Sequence, residues 1–343
     1  MIKKILFIGL KYSYGQKSLG EALNKKAHVD SLKKLGYCVE VVWLDDYNEE
    51  QLQKEILLKA DEFKPDVIFF KIFKFEVKFE TLKRLKEKYF LFNWFGDDQW
   101  RFDNFSKYYA LYFNAVITTD KFSIKKYNEI GQENVIRSQH ASFENNQDYL
   151  NIDYKYDVSF IGGISPFRKW FVQELQKKGI KVECFGYGWE NGKVTYDEMN
   201  EIMLRSKINL NISNSLSYDI RYLISNPRNI LSLIKSFIIK GSKNVSQTKA
   251  RIFEIPVRGG FELTEYVPSL EDYFCIGENL VCYSSVDEAA LLIKYYLENG
   301  DERETIKSKS VEYARNNHTY LKRTENFMKE IERFYKEIKN NGS

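Results

Sequence analysis

The residues best able to do chemistry sit in Phe92–Phe105, FNWFGDDQWRFDNF, where an apolar run ends and Gly96, Asp97, Asp98, Trp100, Arg101 and Asp103 follow at once. Adjacent carboxylates can deprotonate a hydroxyl, and a guanidinium beside them can hold an anion or tune their pKa. Asp98 and Asp97 are therefore candidate catalytic bases. The plainer reading is a polar turn fixed by an Arg–Asp pair. Two Trp in mostly apolar surroundings weigh toward function.

Two further segments could hold an anion. In FIGGISPFR, Phe160–Arg168, an apolar run meets Gly162 and Gly163 and then a helix start carrying Pro166. Glycines let backbone approach a phosphate, free helix-start N–H groups attract it, and Arg168 can pair with a diphosphate. An ordinary strand-to-helix turn would look the same, since this is neither GxGxxG nor a P-loop. In KARIFEIPVRGGFE, Lys249–Glu262, a helix carries Lys249, Arg251 and Glu254 and ends near Gly259 and Gly260. Glu254 can accept two ribose hydroxyls, and the two cations can balance phosphate charge. Alternatively, Arg251 and Glu254, three apart, form a helical ion pair. FGYGW, Phe185–Trp189, places Gly186 after another strand, but no glycine-closed helix follows, which argues against NAD.

The elements that must position these groups alternate. In the N-terminal part, apolar runs of strand length at 4–10, 39–44, 66–72, 89–95, 115–119 and 134–138 separate helical patterns at 18–35, 49–63, 76–88 and 122–130. Continuous apolar runs, not strict alternation, mark parallel strands covered on both faces. A polar stretch at 143–156 reads as a linker. Strands at 157–161, 181–185, 208–212, 261–264 and 280–283 follow, with helices at 165–178, 195–207 and 247–257, another from Ser285, and a long charged one at 319–339. Capping boxes open two of them, at Thr195/Glu198 and Ser285/Glu288. The expected fold class is α/β with two Rossmann-like domains in tandem, their ligand in the cleft they face. The boundaries expected are 1–145, 146–318 with an insertion at 218–246, and a C-terminal helix 319–343 returning toward the first domain.

That insertion breaks the rhythm. Ile230, Leu231, Leu233, Ile234, Phe237, Ile238 and Ile239 alternate with Lys235 and Lys240. Such a helix can meet a membrane or a partner through residues 220–243, or simply pack on its own domain, the commoner use of the pattern.

Composition narrows the class. With 343 residues, two domains are expected. Only five Pro and 43% apolar residues exclude a disordered or linker-rich chain. The 52 basic and 48 acidic residues are interspersed, so a nucleic-acid partner is not expected. Cys38, Cys184, Cys275 and Cys282 form no CxxC and read as buried small hydrophobes in a reducing compartment. His28, His140 and His318 lie too far apart in sequence for an evident metal centre; His28 reads as a packed core residue and His140 as a cleft residue. The start, MIKKILFIGL, mimics a signal peptide but reads as a first strand. A cytoplasmic location is expected, with peripheral attachment at the inner membrane face if the insertion meets lipid.

The Lys249–Phe274 run, GGFEL, VDEAALLIKYYLENGDER and HTYLKR resemble the C-terminal part of CgeB-like (spore-coat maturation type) glycosyltransferases. YSYG near the start and NWFGDDQWRFDNFSKYY with VITTDKFSIKKYNEIG resemble their N-terminal half. The resemblance implies a GT-B fold that needs no metal. It places a nucleotide-diphosphate sugar on the C-terminal domain, near Gly162, Gly163, Arg168, Gly186, Lys249, Arg251, Glu254, Gly259 and Gly260. Glu254 then matches the ribose-binding Glu. An acceptor saccharide, lipid-linked sugar or protein falls to the N-terminal domain, beside Tyr14, Trp100, Arg101 and His140. The Glu-x7-Glu pair of retaining relatives does not carry over: with Glu254 as its second member, the first falls on Ser246. The expected activity is hexosyl transfer to a hydroxyl in polysaccharide or glycoconjugate biosynthesis. The other readings are a non-catalytic nucleotide- or sugar-binding protein and a nucleic-acid-modifying glycosyltransferase.

Overall fold

A computed structural model describes residues 2–214, 217–238 and 246–341. Ile239, Lys240 and the end of the 220–243 stretch lie outside the described residues. The chain divides into two compact units, one of residues 1–143 with 320–343, the other of residues 144–319.

The first unit holds a six-stranded parallel sheet: β1 Lys4–Gly9, β2 Cys38–Trp43, β3 Val67–Lys71, β4 Phe90–Phe95, β5 Ala115–Thr118 and β6 Val135–Arg137, in the order β2-β1-β3-β4-β5-β6. Apolar side chains fill both faces. Leu6, Ile8, Ile68 and Phe70 pack on one side, and Ile5, Phe7, Val67, Phe69 and Phe92 on the other. The second side is closed by Phe327, Met328 and Ile331 of the C-terminal helix Tyr320–Asn341. The charged helix thus returns to the N-terminal sheet because one stripe of it is apolar.

The second unit holds a five-stranded parallel sheet: β7 Tyr156–Ile161, β8 Glu183–Phe185, β9 Ser206–Asn211, β10 Glu262–Glu265 and β11 Val281–Tyr283, in the order β11-β10-β9-β7-β8. Counted from its own first strand this is order 2-1-3-4-5, the same as in the first unit. The Thr195/Glu198 capping box forms in full. At Ser285 only half of it forms, because Glu288 accepts from the Ser284 N–H and hydroxyl instead.

The structure departs from the expected elements in one region that matters for the site. Residues 18–24 do not join the first helix. Gly20 takes φ +82°, and the Ser13 N–H donates to the Gly20 carbonyl at 2.9 Å, closing a loop. Asp45, just beyond β2, accepts the N–H groups of Lys11 and Tyr12 at 2.7 and 2.8 Å and pins this loop to the end of β2. Cys38 and Cys275 are exposed, contrary to the expectation that all four cysteines are buried.

Candidate active site

An open parallel sheet binds ligands outside the carboxyl ends of its strands, where neighbouring strands send their connections to opposite faces. In the second unit that point lies between β7 and β9. Arg168 spans it. Its Nη1 donates to the Gly163 carbonyl at 2.9 Å, and its Nη2 and Nε donate to the Ile212 carbonyl at 2.9 and 3.2 Å. The helix Pro166–Lys177 that carries it starts at Ser165, whose hydroxyl accepts the Arg168 N–H. Lys249 Nζ donates to the neighbouring Ser213 carbonyl. Burial raises the Glu265 carboxyl, which accepts both Asn214 N–H donors and feels Lys249 and Arg168. A cavity of about 480 Å³ opens at these strand ends, lined by Trp170, Asn214, Lys249, Glu265 and Tyr283 among others. Of the expected donor residues only Lys249 lines it.

The glycines divide by role. Gly163 is exposed, with open space where a side chain would stand. Gly186, at φ +125°, backs onto the Gly162 carbonyl, and the Gly162 N–H donates to the Phe185 carbonyl at 2.9 Å. A Cβ at Gly186 would strike that carbonyl, so glycine here lets two strand-end loops touch. Gly259 and Gly260 are buried. A Cβ at Gly260 would stand 2.6 Å from Asn209 Nδ2, and one at Gly259 2.5 Å from the Tyr149 Cβ. The two glycines allow the helix Arg251–Val257 to turn tightly into β10. Within that helix Arg251 and Glu254 form the ion pair at 2.8 Å, leaving Glu254 mostly buried at its first turn. Glu262 is buried on β10, one oxygen accepting from Asn211 Nδ2 at 2.9 Å, and burial holds its carboxyl well above the usual range. It is a strand residue without access to a sugar.

In the first unit the corresponding point lies between β1 and β3, where Gly9 pairs with Lys71. Lys71 Nζ donates to His28 Nε2 at 3.0 Å and lies 4.1 Å from the Trp94 ring centre. While Lys71 is charged it only donates, so the His28 proton then sits on Nδ1, which has no hydrogen-bond partner among the described residues. His140 stands edge-on to Trp94, with ring centres 5.0 Å apart. Burial lowers Lys71 to about 7, opposed by the charge of Asp97. Burial and Lys71 together lower His140 to about 4, again opposed by Asp97. Asp97, His140, Lys71 and His28 therefore form one half-dry cluster. His140 and Asp97 were candidates from sequence. Lys71 was not, although a Lys ending the apolar run DVIFFKI is a readable signal; His28 is the core histidine expected, with a partner that was not.

Asp98, the other candidate base, is fully buried. The hydroxyls of Ser106, Thr118 and Tyr127 donate to it at 2.5, 2.6 and 2.8 Å. Burial raises it to about 6 against those three hydrogen bonds. Closed off from substrate, it is corrected from base to brace: it ties the end of β4 to β5 and the helix Ser123–Glu129. Arg101 donates to the Phe73 carbonyl and lies 4.1 Å from the Phe105 ring centre, so it too is partly engaged in packing. Trp100 is half-buried beside it, and the exposed Tyr14 ring meets Phe73 at 5.4 Å. Among the described residues no group of three His, Cys, Asp or Glu stands close enough to hold a metal ion, and no helix is long and apolar enough to cross a membrane.

Residues 168–329 match a family described as glycosyl transferase-like. No curated protein matches the chain in sequence. Among solved structures, a glycosyltransferase of Rickettsia africae is 11% identical, covers 99% of both chains and has a TM-score of 0.66. Sucrose-phosphate synthase of Thermosynechococcus elongatus is 9% identical over 97% of this chain and 99% of its own, with a TM-score of 0.63. HepE of Anabaena, in complex with UDP and glucose, is 12% identical over 96% of this chain and 99% of its own, with a TM-score of 0.59. At these identities the likeness is one of fold. The two parallel-sheet, Rossmann-like units are those of GT-B structures, and this fold, joined to the family match, supports a glycosyltransferase.

Proposed function

We propose that the protein is a CgeB-like glycosyltransferase that moves a hexose from a nucleotide-diphosphate sugar to a hydroxyl of a saccharide, lipid-linked or protein acceptor, without a metal. The observation that carries the reading is Arg168 at the β7/β9 switch point with Lys249 beside it. Two cations and the helix-start N–H groups are fixed before the leaving diphosphate develops its charge, so they need little reorganisation as the bond breaks. Glu254, at the first turn of its helix, accepts the ribose hydroxyls once Arg251 shares it. The complexes of HepE with UDP and with UDP-glucose support a uridine nucleotide as the first to try.

The acceptor side of the reading rests on Asp97. It is the partly exposed carboxylate of its pair, and Lys71 and His140 lie within its electrostatic reach. If transfer inverts the anomeric carbon, Asp97 takes the acceptor proton. If transfer retains it, the same group orients the hydroxyl. Tyr14, Trp100 and His140 supply rings against which a sugar can lie.

The test is a thermal-shift panel of nucleoside diphosphates and sugar nucleotides, first without metal and then with Mg²⁺. A ligand at 100 times its Kd adds about 2.7 kcal/mol of stability. Stabilisation by one nucleotide family without metal supports the donor site. A flat panel overturns it. A Mg²⁺-dependent response overturns the metal-free part alone.

A further inference from the structure

The helix Pro227–Ile238 leaves most of its apolar residues uncovered. Asn229 is its one buried residue among those described, and its Nδ2 donates to the Tyr222 carbonyl at 2.9 Å and to Ser225 Oγ at 3.2 Å, tying it to the preceding helix. Its apolar residues other than the half-buried Leu233 face outward. Phe237 is 63% exposed and Ile238 73%, with Leu231 and Ile234 also exposed. Ile220 and Ile224 of the preceding helix Ile220–Ser225 are each 70% exposed. At 100° per residue Ile230, Leu231, Leu233, Ile234, Phe237 and Ile238 fall in one arc, and Arg228 and Lys235 lie at its border. A helix packed on its own domain has the reverse arrangement. Burying this arc elsewhere is the gain that can repay its exposure to water.

Charge selects the occupant. No Asp or Glu occurs between Asp219 and Glu254. Arg221 is engaged with Asp219 and Asp287, at 2.7 and 2.8 Å, which leaves Arg228 and Lys235, among the described residues, as the charges bordering the apolar arc. A two-fold contact with a second copy would bring this positive border against itself. An anionic bilayer complements it: acyl chains take the arc, and headgroup phosphates take the cations. We propose that the hairpin Ile220–Ile238 is a surface anchor that lies in the headgroup region of an anionic membrane. The proposal is independent of the sugar-transfer reading, because its readout is lipid binding and not turnover.

The experiment is co-sedimentation of the full chain with vesicles of phosphatidylcholine alone and of phosphatidylcholine mixed with phosphatidylglycerol. Binding to the anionic vesicles, weakened by salt, is expected. Arg228→Glu and Lys235→Glu should each weaken it by about fivefold or more. The double variant Ile234→Ser, Phe237→Ser should weaken it by at least about tenfold with an unchanged thermal midpoint, since both side chains are exposed. Failure to bind anionic vesicles, equal binding to neutral ones, or binding indifferent to Ile234→Ser, Phe237→Ser overturns the proposal. So does a dimer, seen by light scattering without lipid, that the same double variant dissolves.

Discussion

Lys71 Nζ donates to His28 Nε2 at 3.0 Å, so a lysine at the end of a buried strand takes a neutral imidazole, not a carboxylate, as its direct partner. The negative charge of Asp97 offsets burial only in part. The cluster thus holds a cation that burial makes easy to deprotonate.

A stability signature follows from this pair. The folded pKa of Lys71, about 7, lies below the 10.5 of the unfolded chain. Between these values the unfolded state binds more protons, so stability rises with pH from about 7 to about 10.5. The burial penalty is fully present below pH 7 and relieved above. Lys71→Met removes the charge, so the variant should gain most relative to wild type near pH 6, by on the order of 2 kcal/mol once partial solvent access is counted. Urea unfolding from pH 6 to 10 checks it; an undiminished slope in the variant would show that Lys71 is not its source.

Asp98 is expected to matter for stability before chemistry. Asp98→Ala leaves three buried hydroxyls without their acceptor and should cost about 2–4 kcal/mol. Asp98→Asn keeps one acceptor oxygen and removes a buried charge, so it should cost less than about 1.5 kcal/mol. The folded pKa near 6 exceeds the ordinary 3.8, so wild type should lose stability as pH rises through that window. Asn, which does not titrate, should flatten that fall. Chemical denaturation at pH 4, 5.5 and 7 separates the outcomes.

Arg168→Lys tests the planar fork. Lysine can meet one carbonyl or one phosphate oxygen, but not two carbonyls and a diphosphate together. Affinity for UDP should fall at least about tenfold, while affinity for uridine should change little. Calorimetric titration of both ligands decides; an equal loss for the two would mean that Arg168 only shapes the loop.

Glu254→Gln tests the ribose contact. It also frees Arg251 from its 2.8 Å ion pair, so the thermal midpoint must be followed in parallel. UDP should bind about tenfold more weakly. The 2′- and 3′-deoxy analogues should lose less, since a hydroxyl they lack cannot be given up. Uniform loss across all three would remove the assignment.

Much of the fold was legible because its signals are local. Runs such as ILFIGL and DVIFFKI, at strand length and rich in Ile, Val and Phe, read as doubly covered strands. Thr195 with Glu198 three residues on marks a helix start at Tyr196, the residue that follows Thr195. The N-terminal helix was overcalled at 18–24 because apolar spacing continues through Gly20, whose left-handed φ ends the pattern without changing it.

The site was legible in part. Arg168 was found by its place after a strand and two glycines. Asp97 and Asp98 were indistinguishable in sequence, being neighbours in one polar turn. One residue of rotation aims Asp98 at Ser106, Thr118 and Tyr127 and leaves Asp97 partly in water.

The sequence by itself therefore determined the alternation of strands and helices, the doubling of the Rossmann-like unit and the amphipathic stripe that returns the last helix. Hydrophobic period and capping chemistry act within about ten residues and are written in order along the chain. Only the tertiary structure decided that both sheets take the order 2-1-3, and hence that His28, Lys71, Asp97 and His140 meet at one strand end and Arg168 bridges another. It also decided which way the Pro227–Ile238 helix turns its apolar arc. Strand order and helix facing depend on which distant surfaces bury each other, and that is a sum over the whole unit that no short stretch of residues carries.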